Sequence, residues 1–213
     1  VRVLAQIYSY IQLVTFQKES SLRFISKLIA HINFKGGINI NINKETTLSF
    51  TGHRPNKLHG YNPASEGNMK MLWKLRELII EQIEVHKVDT FITGMALGID
   101  MWAGRIVLKL KEKYPHIKVV AAIPCKNHNN KWPQQSKDEW QNIIDKCDYV
   151  HYVSDEEYTS WCMQKRNEWM VDNSSRVIAV WDGTKGGTGN CVNYAKKKEN
   201  TIIRLDPKSL IIS

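Results

Sequence analysis

From Thr46 onward the apolar residues fall into a repeating rhythm. Short apolar runs alternate with longer stretches in which apolar side chains recur every third or fourth position. Leu48–Thr51 reads as a strand that ends at Gly52. Asn68–His86 reads as a helix, with Met71, Leu72, Leu75, Leu78, Ile79 and Ile83 near helical period. Val88–Thr93 is a strand closed by Gly94, and Asp100–Tyr114 a helix stopped by Pro115. Ile117–Ile123 is a strand ended by Pro124. The helices Ser136–Lys146 and Tyr158–Asn173 flank the strand Tyr149–Val153. Arg176–Trp181 is a strand with the apolar core Val177–Val180, Cys191–Lys198 a helix, and Thr201–Leu205 the last strand.

Several of these strands are apolar without alternation, as expected when helices cover both faces of a sheet. Strand–helix alternation at this spacing predicts an α/β fold: a doubly wound, mostly parallel, Rossmann-like sheet with helices on both faces. Ligands of such sheets bind beyond the carboxyl ends of the strands.

Residues 1–44 do not share the rhythm. Leu4–Ile32 mixes apolar and basic residues, Gly36-Gly37 punctuates it, and Ile38–Asn43 alternates like a short strand. The span holds Arg2, Lys18, Arg23, Lys27, Lys35 and Lys44 against Glu19, a net of +5. The expected division is therefore 1–44 as a basic extension and 45–213 as the domain. The extension is either a dispensable appendage, the reading preferred here, or a partner-binding arm.

The whole chain of 213 residues carries +9, which leaves +4 for the domain. Mild positive charge suits a phosphate-bearing ligand and does not by itself demand nucleic acid. Cys125, Cys147, Cys162 and Cys191 have no CxxC spacing and read as free thiols of a reducing compartment. No apolar run approaches the roughly 20 residues that span a bilayer. The expectation is a soluble cytoplasmic protein without a membrane partner. The seven histidines show no metal-ligand spacing with Cys or carboxylates, so no metal is expected. Walker A, GxSxG and GxGxxG signatures are absent.

Four segments carry candidate chemistry. Thr51, Gly52, His53, Arg54 and Lys57 leave the first strand; Gly52 permits a sharp turn, and the two cations can meet a phosphate. Gly94, Met95, Ala96, Gly98 and Asp100 form a strand-to-helix turn whose N–H groups can face an anion. Asp100 there either caps the helix or binds a ribose hydroxyl or a base. Arg166 shares a helix face with Met163 and Met170, and a guanidinium held on such a face needs an anion: Asp172, Glu168 or a ligand phosphate. Alternatively Arg166 lies on a solvated stripe. Asp182, Gly186, Gly187, Thr188, Gly189 and Asn190 make a glycine-rich anion cradle after the fifth strand. Trp132, in a Lys-Trp-Pro segment beyond Pro124, either stacks on a base or covers core.

Together TGHRPNKLHGY, GMALGID, RNEWMVDNS and WDGTKGGTGN resemble the SLOG superfamily, which groups the Lonely guy and DNA-processing protein A (DprA) families. The nearest likeness is to the YpsA-like family of bacteria and phages, over about Thr46–Leu205. The resemblance implies a nucleotide-type ligand, no required cofactor, and a homodimer. Lonely guy enzymes cleave the N-glycosidic bond of nucleoside 5′-monophosphates, using a helix like M-x-x-R-K-x-x-M and a loop like P-G-G-x-G-T-x-x-E. Met163, Arg166 and Met170 match that helix, Asn167 replaces its Lys, Gly186-Gly187-Thr188-Gly189 resembles the loop, and the following Cys191-Val192-Asn193 supplies no Glu. Without that carboxylate the hydrolysis loses a main contributor. Arg166, Asp100, Asp172 and Asp182 are then the catalytic candidates. DprA carries a loop like S-G-x-A-x-G-I-D-x-x-A, close to Gly94–Ala103, and binds single-stranded DNA. Trp102, Trp132, Trp161 and Trp169 are the candidate stacking platforms. The expected function is binding of a nucleotide or nucleotide derivative as a sensor or sequestering protein. Phosphoribohydrolase activity is the first alternative, and weak single-stranded nucleic-acid binding the second.

Overall fold

A computed structural model describes residues 42–213. Six strands form one sheet: β1 (Thr47–Gly52), β2 (Thr90–Thr93), β3 (Lys118–Ile123), β4 (Tyr149–Tyr152), β5 (Arg176–Val180) and β6 (Thr201–Leu205). Their order is β4-β3-β2-β1-β5-β6, and every adjacent pair is parallel. The helices are α1 (Glu66–Glu84), α2 (Ile99–Leu110), α3 (Gln134–Ile144), α4 (Ser160–Asp172) and α5 (Gly187–Lys197). The fold is the doubly wound α/β architecture expected from the hydrophobic rhythm.

Strand alternation decides which helix covers which face. Leu48 and Phe50 of β1, Phe91 of β2 and Val119 of β3 pack with Met71, Leu75 and Ile79 of α1 and Trp102 and Val107 of α2. Ala121 and Ile123 meet Trp140 and Ile143 of α3. On the opposite face Ile92, Val120 and Ala122 receive Met170 of α4, and Val177 receives Val171, Cys191 and Ala195. Each fully buried aliphatic or aromatic side chain contributes about 1.5–3 kcal/mol relative to exposure, so this two-sided core supplies the main driving force.

Boundaries shift where local chemistry overrides the apolar pattern. The last helix starts at Gly187, four residues before the apolar residues that mark it, because Gly186 (φ +145°) turns the chain directly into the first helical turn. The glycine run is therefore partly helix rather than all loop. Helix α2 ends at Leu110, and a turn carries the chain to Tyr114. Ile42 packs beside Ile92 and Met170, and Asn43 caps the short 3-10 turn Lys44–Thr46. The rest of the basic extension, and the alternating run before Ile42, lie outside the described residues. Among the described residues no helix is long and apolar enough to cross a membrane.

Candidate functional site

Strand order reverses between β1 and β5. The chain leaves β1 toward β2 on one side and leaves β5 toward β6 on the other, so the loops after these neighbours part and open a crevice. Because all strands run the same way, the loops after β2 and β3 reach the same rim.

A clamp crosses the reversal point. His53 extends β1 by donating its N–H to the Val180 carbonyl (3.1 Å), and its buried ring lies 2.7 Å from Oδ1 of Asp182. The N–H and hydroxyl of Thr184 donate to the same oxygen at 3.0 and 2.7 Å. Burial opposes the Asp182 charge, but the Thr184 and His53 hydrogen bonds outweigh it and hold the carboxyl well below its usual range. Lys57, ending the 3-10 turn Pro55–Lys57, donates to Thr184 Oγ1 (3.2 Å) and stands close to Gly186 at the N-terminus of α5. That puts a cation beside unpaired helix N–H groups, an arrangement that favours a bound anion.

The second cluster belongs to the β2 loop and α4. Arg166 Nη1 donates to Asp100 Oδ2 at 2.8 Å, with only 5% and 8% of the two side chains exposed. The Ala96 N–H approaches the same carboxylate oxygen (3.4 Å), and the Thr93 hydroxyl binds the Asp100 carbonyl (2.6 Å). The guanidinium lies against the Gly94 backbone so closely that a Cβ there would fall 1.2 Å from Nη1. Nε of Arg166 is buried without a protein partner.

Arg54 is exposed to solvent, yet burial by surrounding protein is the first cause lowering its guanidinium's pKa; Asp100 opposes that shift, and Arg166 adds to it. Its charge therefore interacts with Asp100, Arg166, Tyr158 and Tyr61. The stretch Arg54–Lys57 thus reaches both clusters, one cation to each.

His128 completes this wall. Its ring sits 5.4 Å from Trp132 and 5.5 Å from Trp140, and Nε2 is buried without a partner. Burial, with smaller repulsions from Arg166 and Arg54, pushes its pKa down to about 4. A neutral native histidine binds its proton less readily than the unfolded chain does. Its stability contribution is full above the ordinary value of 6.5 and drains away as pH falls toward 4. Stability is expected to drop by about 1–2 kcal/mol between pH 7 and pH 5, as read by urea unfolding. A His128→Phe variant should flatten that slope. The depressed Asp182 carboxyl acts in a more acidic window, losing its contribution only as pH falls below the usual carboxylate range.

Not every expected residue faces this crevice. Thr51 is buried and hydrogen-bonds Cys191. The Met95 side chain is fully buried with Ala121 and Trp140. Gly189 lets the first turn of α5 press on Trp181 and the Thr184 carbonyl. Asp172 lies at the far end of α4, pairing with Lys198 (3.0 Å) and Tyr194. Arg166 is not on a solvated stripe, and its anion is Asp100 rather than Asp172 or Glu168. Met163 turns away from the buried face formed by Cys162, Arg166 and Met170, and joins Trp161, Asn167, Gly187 and Asn190 along a shallow groove of about 370 Å³. Trp102 is core, Trp132 packs on His128, and Trp169 stacks on His151 at 4.3 Å. Of the four candidate platforms, only Trp161 is largely exposed (62%). His128 and Tyr158 lie outside the sequence motifs, and Tyr61 closes the first motif without being among its candidate site residues; the position of His128 just beyond β3 is the available signal.

This arrangement has relatives. The family model of the YpsA proteins, described as the YspA SLOG family, matches residues 48–210. The chain belongs to the YpsA family of SLOG proteins. The SPbeta prophage-derived protein YoqJ of Bacillus subtilis, described as uncharacterized, is 40% identical over 140 residues, 61% of this chain and 82% of its own length. A UPF0398 protein of Brevibacillus brevis is 27% identical over 74% of this chain and 85% of its own. Among solved structures, DprA of Helicobacter pylori superposes with a TM-score of 0.53 at 17% identity, covering 78% of this chain and 67% of that one. DprA of Streptococcus pneumoniae gives 0.56 at 18% identity, over 80% of this chain and 56% of its own. This YpsA-family chain thus shares the DprA fold while spanning little more than half of the pneumococcal protein.

Proposed function

We propose that the crevice holds a nucleotide or nucleotide derivative, and that the protein senses or sequesters such a signal. The carrying observation is the placement of Arg54 and Lys57 on one short turn between the buried Arg166–Asp100 pair and the N-terminus of α5. A phosphate at the glycine turn would meet backbone N–H groups and Lys57, while the remainder of the ligand extends toward Arg54 and Arg166.

Binding is favoured over hydrolysis. The first turn of α5 holds no acidic residue, and each candidate carboxylate is already engaged: Asp100 by Arg166, Asp182 by His53 and Thr184, Asp172 by Lys198. A general acid or base has to be free to exchange a proton with substrate.

A panel of NAD, ADP-ribose, cyclic nucleotides, nucleoside monophosphates and triphosphates is expected to contain a member that raises the melting temperature. At 100 times Kd the stabilisation is about 2.7 kcal/mol, or roughly 5–10 °C for a domain of this size. Arg54→Ala with Lys57→Ala should erase the shift and leave the unliganded melting point nearly unchanged. A flat response across the panel would rule against the reading.

A second reading follows from the structural neighbour described for its single-stranded DNA binding mode. Here Trp161 and Tyr158 are exposed near the same rim, 62% and 57%. Affinity for single-stranded DNA that falls steeply with salt and survives removal of residues 1–41 would support it. Affinity that vanishes with those residues would belong to the basic arm.

A further inference from the structure

Two of the four cysteines have no role in the crevice chemistry yet stand in its wall. Cys125 follows Pro124 at the end of β3, and Cys162 is in the first turn of α4. Both are buried, at 0% and 1% exposure, and their Sγ atoms lie 2.8 Å apart. The other two are isolated from them and from each other. Cys147 donates to the Ile143 carbonyl, and Cys191 hydrogen-bonds Thr51.

We infer that Cys125 and Cys162 are a disulfide-forming pair, a reversible covalent modification site built into the crevice wall. A disulfide needs its sulfurs about 2.05 Å apart, so the pair lacks only a small side-chain movement. Backbone on both sides is anchored: Cys125 by the end of a central strand, Cys162 by a capped helix in which Thr159 Oγ1 accepts its N–H at 3.1 Å. Intracellular disulfides, where they form, are mostly transient or redox-sensing, and a contact pair beside a ligand crevice suits that use.

The chemistry balances with hydrogen peroxide as the two-electron oxidant. The Cys162 sulfur, as thiolate, attacks peroxide; its S–O bond forms, the O–O bond breaks, and hydroxide leaves to take up the proton that Cys162 released. The Cys125 sulfur then attacks the resulting sulfenic acid. The S–S bond forms, the S–O bond breaks, and the Cys125 proton departs with the hydroxide as water. Two thiols and one peroxide give one disulfide and two waters. In the reduced pair the Cys162 thiol donates to the Thr159 carbonyl at the start of α4 (2.9 Å), and it gives up that proton on attacking peroxide. Burial first, then the neighbouring sulfur, raises the Cys125 thiol to about 12, which fits it to the second, resolving step. The bond would tie the loop that carries His128 to the helical turn preceding Arg166.

This inference does not depend on the nucleotide reading, and its test needs no ligand. The 213-residue chain is exposed to graded hydrogen peroxide, its remaining thiols are alkylated in denaturant, and the digest is analysed by mass spectrometry. The expected product is an intramolecular Cys125–Cys162 crosslink, removed by dithiothreitol, with Cys147 and Cys191 alkylated. The oxidised protein should also melt at a higher temperature, because the crosslink restricts the unfolded chain. In Cys125→Ser, Cys162 should accumulate as a dimedone-trapped sulfenic acid. Complete alkylation of all four cysteines after peroxide treatment of the wild-type chain, over-oxidation of Cys162 without a crosslink, or pairing between molecules would each overturn the inference.

Discussion

Arg166→Ala is expected to destabilise the domain by about 3–5 kcal/mol. The guanidinium and its Asp100 partner are both more than nine-tenths buried, so the substitution leaves a carboxylate in the interior with a long hydrogen bond from the Ala96 N–H and the solvent-exposed Arg54 as its nearest cation. It also opens a void beside Gly94, where the guanidinium now fills space that no side chain at that position could share. Attraction between the partners offsets much of their joint desolvation, and a lone survivor carries the full penalty. The double variant Arg166→Met with Asp100→Asn should therefore be much more stable than the two single losses predict. Urea unfolding of the four proteins gives the coupling directly. An Arg166→Ala protein within about 0.5 kcal/mol of wild type, the range of ordinary surface changes, would mean that the pair is not buried.

Gly98→Ala is the second large effect, about 3 kcal/mol or more. Gly98 sits at φ +94°, ψ −130°, a conformation that residues with a Cβ rarely adopt. A methyl group there would also stand 2.7 Å from the backbone oxygen of His53, which cannot swing aside as a side chain can. The backbone must move, and His53 moves with it. The His53–Asp182 clamp across the strand reversal is then disturbed, and nucleotide-induced stabilisation should weaken as well. Gly60→Ala is the matched control. Gly60 has φ +89° but open space around its Cβ direction, so only the conformational cost of about 1 kcal/mol applies. Chemical denaturation of both variants should show Gly98→Ala as clearly the worse; equal losses would mean that the close approach to His53 has no energetic consequence.

The legible parts of the fold are those governed by near neighbours in the chain. The run Val177–Val180 can only be a strand covered on both faces, and Met71, Leu75 and Ile79 can only face a core if the segment is helical. Where two local signals compete, the apolar pattern misplaces the boundary. Cys191, Val192 and Ala195 mark the buried side of α5, but its first turn consists of residues that look like loop because they have little or no side chain to bury. Chain-local reasoning also overextends a shared helix face: Met163 and Met170 both flank Arg166, yet only Met170 is fully buried.

The candidate site was legible as a set of loops and not as a set of contacts. The glycine positions, Arg54, Lys57 and Arg166 stand out because their residue types suit an anion at the ends of strands. Which carboxylate meets Arg166 is a different kind of question. Asp172 and Glu168 are near it in the chain, whereas Asp100 is 66 positions away and is brought to 2.8 Å by α2 and α4 meeting the same strand rim. His128 is likewise unremarkable until Trp132, Trp140, Arg166 and Arg54 surround it.

By itself the sequence determined the strand and helix order, the doubly wound class and the edge at which the glycine turns gather, since periodicity and turn chemistry act over a few residues. Only the tertiary structure decided who pairs with whom: Arg166 with Asp100, His53 with Asp182, Cys125 with Cys162. Burial and pairing energies depend on distances across the sheet, and those distances exist only once the crossovers have closed.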